Sequence, residues 1–297
     1  MKKISSIILL FMLSWGNPLM AEEITSRIVE NGGTGKYSAL MSTEPSLPTH
    51  TVFAPQDLSK FNEKNPLPLL VWGNGACFDS PWEHVNFLNE VASHGFLVIA
   101  IGVMPKETGE QVTTRSTAAK LTEAMDWAIA QNGAADSRWH KKIDTKKIAV
   151  SGMSCGGLQA LEVAGDPRIT TLGVFNSGLF RDAVRGTAMP GMPQLDKTQL
   201  EKIHTPTLYL LGGQSDIAYE NGMDDFAKIN HVPVFVGNMD VGHGGTYAQP
   251  NGGEYAKVAT AWYKWQLKGD KKAGKMFTGK KPGLASSPEW TIDKKNM

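Results

Sequence analysis

The chain has 297 residues, of which 41% are hydrophobic and 20% charged, with 30 lysines and arginines against 29 aspartates and glutamates. That length and apolar share suit one large α/β domain with a substantial core; two domains are possible but not required. The near balance of charge excludes the basic surplus that draws a nucleic-acid partner.

Met1-Lys2-Lys3, an uncharged stretch over residues 4–15, and Pro18-Leu19-Met20-Ala21 ahead of Glu22-Glu23 follow the basic, apolar and small-residue order of a secretory signal. Cleavage after Ala21 is expected. The alternative is an uncleaved membrane anchor, but the strongly apolar part, residues 7–13, is too short to span a bilayer comfortably. With no cysteine near the cleavage site, a lipoprotein is disfavoured. Loss of residues 1–21 removes two lysines and no acid, leaving a net charge of −1. The expected location is periplasmic or secreted, with residues 22–297 as a single domain and no stable membrane anchor.

Strands are predicted at residues 49–53, 68–72 and 96–101, each short and nearly continuous in apolar character, with a helix-like stretch at 82–93. Residues 117–131 place Leu121, Ala124, Met125, Ala128 and Ile129 on one helical face before Asn132-Gly133 ends it. Ile148-Ala149-Val150 then breaks into Ser151-Gly152-Met153-Ser154-Cys155-Gly156-Gly157, and Leu158 opens a helical pattern. Strands follow at 169–175, 207–211 and 234–236, and an amphipathic helix at 254–267 closes the series. This alternation predicts a mainly parallel sheet covered by helices on both faces, without internal repeats. The lysine-rich segment 268–297 reads as a solvated, peripheral tail with Trp290 tacking it onto the body.

Small residues two places either side of Ser154 are what a strained strand-to-helix turn requires, because a neighbouring Cβ would collide there. Ser154 is therefore the candidate nucleophile. In a doubly wound sheet, chemistry gathers in loops after the carboxyl ends of strands. Two such loops hold Gly212-Gly213-Gln214-Ser215-Asp216 and Asp240-Val241-Gly242-His243-Gly244-Gly245. The order Ser154, Asp216, His243 is that of a nucleophile, an orienting acid and a general base. Taken singly, Asp216 reads equally well as a helix cap and His243 as a polar loop residue.

With these motifs in place the chain resembles an α/β-hydrolase, and within that superfamily it is most similar to dienelactone hydrolase-like and secreted polyester-hydrolase, or cutinase-like, esterases. The likeness runs from about residue 49 to 267 and rests on the elbow Gly152-Met153-Ser154-Cys155-Gly156-Gly157, the acid turn at 212–216 and the loop Gly242-His243-Gly244. It implies that Ser154 attacks an acyl carbon, His243 acts as base and then acid, Asp216 orients His243, and water resolves the acyl-enzyme. An oxyanion hole then needs two amides, which look like those of Cys155 and Ala76, the latter in the small-residue loop Gly73-Asn74-Gly75-Ala76-Cys77. A tight turn or a phosphate cradle are the other readings of that loop, the second unsupported because no Gly-Lys-Ser or Gly-Lys-Thr follows. The two cysteines of the chain, Cys77 and Cys155, fall in the two hole-forming segments. In an exported protein they are expected to form a disulfide; two buried thiols are the alternative.

The chain departs from the family in ways that bear on substrate. Cutinase-type polyester hydrolases usually carry an aromatic residue where Ala76 stands and methionine where Cys155 stands. Dienelactone hydrolases use cysteine at the elbow centre, held here by Ser154. The segment 179–200 is too short for a large cap, so an open cleft is expected, with Phe78, Trp82, Phe180 and Tyr219 as lining or as core. No H-E-x-x-H, C-x-x-C or close histidine pair suggests a metal, and Asp224-Asp225 reads as a helix start rather than a cation site. No cofactor is expected. The sequence reading is thus an exported serine hydrolase acting on a soluble or polymer-borne carboxylic ester. A deacetylase or thioesterase of the same fold, and a scaffold that only binds a ligand, are the alternatives.

Overall fold

Ten strands form one sheet in the order β1-β2-β3-β5-β4-β6-β7-β8-β9-β10 in the computed structural model, which describes residues 23–106, 112–181 and 189–297. The expected leader, residues 1–21, lies outside the described residues. β4 (Leu67–Gly73), β5 (Leu97–Ile101), β6 (Ile143–Met153), β7 (Ile169–Phe175), β8 (Thr207–Leu211) and β9 (Val234–Met239) run parallel and make the centre. β1 (Ser26–Ile28), β2 (Ala39–Ser42) and β3 (His50–Pro55) add antiparallel strands at one side. β10 (Trp290–Lys295) adds one at the other, paired with β9.

The near-continuous apolar runs are explained by burial on both faces. In β4, Leu67, Leu69 and Val71 enter one core while Leu70 and Trp72 enter the other. The first core is roofed by α2 (Ala119–Gly133), α3 (Cys155–Glu162) and α4 (Tyr219–Lys228), through residues such as Leu121, Leu161 and Phe226. The second is roofed by α1 (Val85–Ser93) and α5 (Gly253–Lys268), through Phe87, Val91, Tyr255 and Trp262. None of the described helices is long and apolar enough to cross a membrane. The fold class expected from the alternation of strands and helices is the one observed.

Two expectations need correction. Ile129 is 37% exposed rather than part of the buried face of α2. The stripe is widened on its opposite shoulder by Trp127, whose indole donates to Ser46 Oγ at 2.9 Å, so α2 is rolled away from Ile129. The lysine-rich tail is held to the body by Trp290 as expected, but it is not solvated and peripheral throughout. It contributes the short α6 (Lys271–Gly274) and β10, and buries Phe277, Leu284 and Trp290 in the second core. Those three apolar residues lie too far apart along the chain to register as a period, and the lysines between them mask the signal. Even some lysines act locally: Lys295 Nζ donates to the Phe226 and Ala227 carbonyls at 2.7 and 2.8 Å near the end of α4.

Candidate active site

The carboxyl ends of β4, β6, β7, β8 and β9 converge on one rim of the sheet, and the site is built there from loops on rigid strands. Ser154 sits between β6 and α3 with φ 54° and ψ −118°, a backbone conformation that L-residues rarely adopt. Its amide donates to Phe175 O at 2.9 Å, and its carbonyl accepts from Ser177 Oγ at 2.7 Å, so the end of β7 and the loop after it hold the turn from both sides. The glycines make the turn possible by close approach. A Cβ on Gly152 would lie 2.3 Å from the Gly156 backbone, and one on Gly156 would lie 2.1 Å from the Gly73 carbonyl. β4, β6 and α3 can therefore meet only where these positions carry no side chain.

His243 arrives on the loop after β9, and its Nε2 lies 2.9 Å from Ser154 Oγ. Its Nδ1 lies 2.6 Å from Asp216 Oδ1, on the loop after β8. Residues 62 and 27 positions apart in the chain are thus brought into one hydrogen-bonded row. Asp216 is buried and also accepts from the Ala218 amide at 2.9 Å through the same Oδ1, which closes the turn before α4 rather than capping the helix, whose N-cap is Ala218. Oδ2 accepts from the Gly212 amide at 3.0 Å and from Asn176 Nδ2 at 2.8 Å. Burial by itself would push the Asp216 carboxyl up, but the bond from His243 and the N–H donors around it outweigh that and hold it below the ordinary carboxylate range. An ionised Asp216 requires the Nδ1–H tautomer of His243. Nε2 is then left as the acceptor for the Ser154 hydroxyl.

Asn176, the residue immediately after β7, escaped sequence reading. It donates to Asp216, and its Oδ1 accepts from Tyr247 OH at 2.7 Å. Tyr247 in turn packs edge-on against Tyr255 and His84. The rule that strand ends carry the chemistry, applied to β7 as it was to β8 and β9, is the signal that could have found it. His84 lies buried between Trp72 and Tyr247, and desolvation pushes its pKa down to about 3, which leaves it uncharged.

Ser154, His243, Ala76, Phe78 and Trp82 line one cleft of about 580 Å³, together with Glu83, Met153, Ile217 and Tyr247. Phe180 and Tyr219 do not line it; both are partly buried and pack against the first core. Ile217 stands in their place. It is 81% exposed beside Asp216, a position that its neighbour in sequence would have flagged. Glu83 at the rim is raised from its ordinary value by partial burial, against the opposing pull of His243. Cys77 and Cys155 form a disulfide, which removes the two-thiol alternative. Ala76 (φ 50°) and Cys77 (φ 55°) form a left-handed pair in the loop after β4, and the Cys155 amide is the first of α3, a position without an intrahelical acceptor.

Asp224 and Asp225 do not begin a helix as expected but sit in the second half of α4. Both pair with Lys197, and Asp224 also pairs with Lys228; Asp225 further accepts from the Leu179 amide and Tyr209 OH. That bonding accounts for their placement without a cation.

A central parallel sheet with antiparallel flanks, carrying a strained serine at a strand-to-helix elbow, defines a serine hydrolase of the α/β-hydrolase class. Residues 75–283 match the family model of the PETase, or PET hydrolase-like, proteins, and the chain belongs to that family of carboxylic ester hydrolases. No curated protein matches the chain.

Proposed function

We propose that this protein is an exported serine esterase that works through Ser154, His243 and Asp216 and a covalent acyl-enzyme. Ser154 Oγ attacks the acyl carbon as its proton passes to His243 Nε2, and the ionised Asp216 stabilises the imidazolium that results. The amides of Ala76 and Cys155 receive the developing oxyanion. Collapse of the tetrahedral species breaks the ester bond, and the departing alkoxide takes the proton from Nε2. Water then repeats the sequence on the acyl-enzyme and restores Ser154. The single observation that carries this reading is the continuous row Asp216 Oδ1, His243, Ser154 Oγ, with separations of 2.6 and 2.9 Å.

The cleft favours a carboxylic ester with apolar groups on either side of the scissile bond. Phe78, Trp82, Met153 and Ile217 offer apolar and aromatic surface around Ser154. An aromatic polyester chain meets that description, as does a soluble aryl ester. Export is supported by the leader-like residues 1–21 and by a disulfide, which persists in an oxidising compartment.

A fluorophosphonate probe is expected to label the wild-type protein and to fail on Ser154→Ala, with p-nitrophenyl acetate hydrolysis lost in parallel. Labelling that persists in Ser154→Ala would place the nucleophile elsewhere. A folded wild-type protein that neither labels nor turns over would make it a binding scaffold.

A further inference from the structure

The loop after β4 is anchored on one side only by hydrogen bonds. Asn74 Nδ2 donates to Phe78 O at 2.8 Å and to Ile101 O at 2.7 Å. Arg115 Nε donates to Ala76 O at 3.0 Å, and the Ser116 amide donates to Cys77 O at 3.0 Å. None of these four bonds runs to the first turn of α3; one turn further on, Gln159 Nε2 donates to Ser116 O at 2.8 Å, and the backbones of Gly73 and Gly156 pack in direct contact. The covalent tie in that direction, and the one made by the hole-forming residues' own neighbours, runs from Cys77 to Cys155, with Cα atoms 5.1 Å apart. Its two ends are telling. Cys155 is itself the residue whose amide follows Ser154, and Cys77 is the immediate neighbour of Ala76. Neither cysteine lines the cleft, and both are buried, so the bridge touches no substrate.

The segment it holds carries backbone strain. Ala76 and Cys77 are consecutive non-glycine residues in the left-handed region, each unfavourable for an L-residue by about 1 kcal/mol or more, so surrounding structure has to impose them. An oxyanion donor is effective only within a few tenths of an ångström of its working position, and a misplacement of about 1 Å can cost about 100-fold in rate.

We infer that the Cys77–Cys155 disulfide is a positioning element of the acyl-transfer site, fixing the spacing between the Ala76 and Cys155 amides so that turnover depends on the bridge being closed. This rests on the esterase reading above. The bridge belongs to transition-state binding rather than to substrate binding, so its loss lowers kcat and leaves KM nearly unchanged.

The experiment compares wild type with the Cys77→Ala/Cys155→Ala double variant on p-nitrophenyl acetate at 25 °C, with circular dichroism to establish folding. A phenylboronic acid, whose adduct with Ser154 is tetrahedral, reports on the oxyanion site. The expected result is a fall in kcat of about 10- to 100-fold with KM within about twofold, and a matching loss of boronate affinity. A purely structural bridge would lower the melting temperature and leave both readouts at 25 °C unmoved, and that result would overturn the inference. So would a loss confined to KM.

If the double variant does not fold, the wild-type enzyme is reduced with a trialkylphosphine. The phosphine supplies two electrons and is converted with water to its oxide, while two protons complete the thiols, whose count is read by alkylation and mass. Reduced, folded enzyme is expected to show the same fall in kcat, and full activity with two alkylated thiols would refute the idea. The esterase reading fails separately, through an inactive wild type or an active Ser154→Ala.

Discussion

Asp216 shows how one residue answers two demands at once. Its Oδ1 closes the turn before α4 through Ala218 and orients His243, while its Oδ2 is fixed by Gly212 and Asn176. The bond from Ala218 is part of what aims the carboxylate at His243. Because its folded pKa is lowered, Asp216 contributes stability that is full above the unfolded value, about pH 4, and is lost as pH falls through the folded value. Asp216→Asn is expected to reduce kcat about 10⁴-fold by leaving the His243 tautomer unsupported. Its urea midpoint should lie below that of wild type at pH 6, with the gap narrowing toward pH 2. A gap that stayed constant over that range would mean that the charge of Asp216 contributes nothing to folding.

At the level of elements, the site depends on how closely α3 presses on the end of β4. The backbone of Gly73 and that of Gly156 approach until no Cβ fits between them. Gly156→Ala cannot be absorbed by a flexible side chain, because the obstacle is a carbonyl group. It should cost about 3 kcal/mol, seen as a lowered denaturation midpoint, together with a loss of esterase activity larger than the loss of folded protein. A variant with wild-type stability and kcat would show that α3 can shift freely. The glycines of the elbow were legible in sequence as a steric requirement, whereas their partner was not. Gly73 lies 83 residues before Gly156, and only the parallel pairing of β4 with β6 brings the two together.

Over the whole molecule, the second core is joined to the site by aromatic side chains. Trp290 of β10 packs on Tyr255 with ring centroids 5.7 Å apart, Tyr255 meets Tyr247, and Tyr247 donates to Asn176 beside Asp216. The tail therefore closes both the sheet and the wall behind the site. Trp290→Ala should cost about 3–5 kcal/mol of stability, measured by chemical denaturation, and leave KM unchanged in the folded fraction. A change of under about 1 kcal/mol would mean that the tail is peripheral after all. β10 also covers the edge of β9, which would otherwise offer unpaired backbone groups to other chains.

The amino-acid sequence alone determined the sheet class and the elbow, and it singled out Ser154, Asp216 and His243 as candidates. Each is written locally, as an apolar run of strand length, a cluster of small residues around Ser154, or a polar residue just past a strand. It also brought Cys77 and Cys155 under suspicion, by placing them in two loops with one purpose. Tertiary structure decided that those sulfurs are joined, that Asn176 and Tyr247 support Asp216, that Ile217 takes the place expected for Phe180 and Tyr219 in the cleft, and that the lysine-rich tail supplies a tenth strand. The physical reason is range: turn sterics and periodicity act over a few residues, but which aromatic faces the cleft depends on strands paired across long stretches of chain.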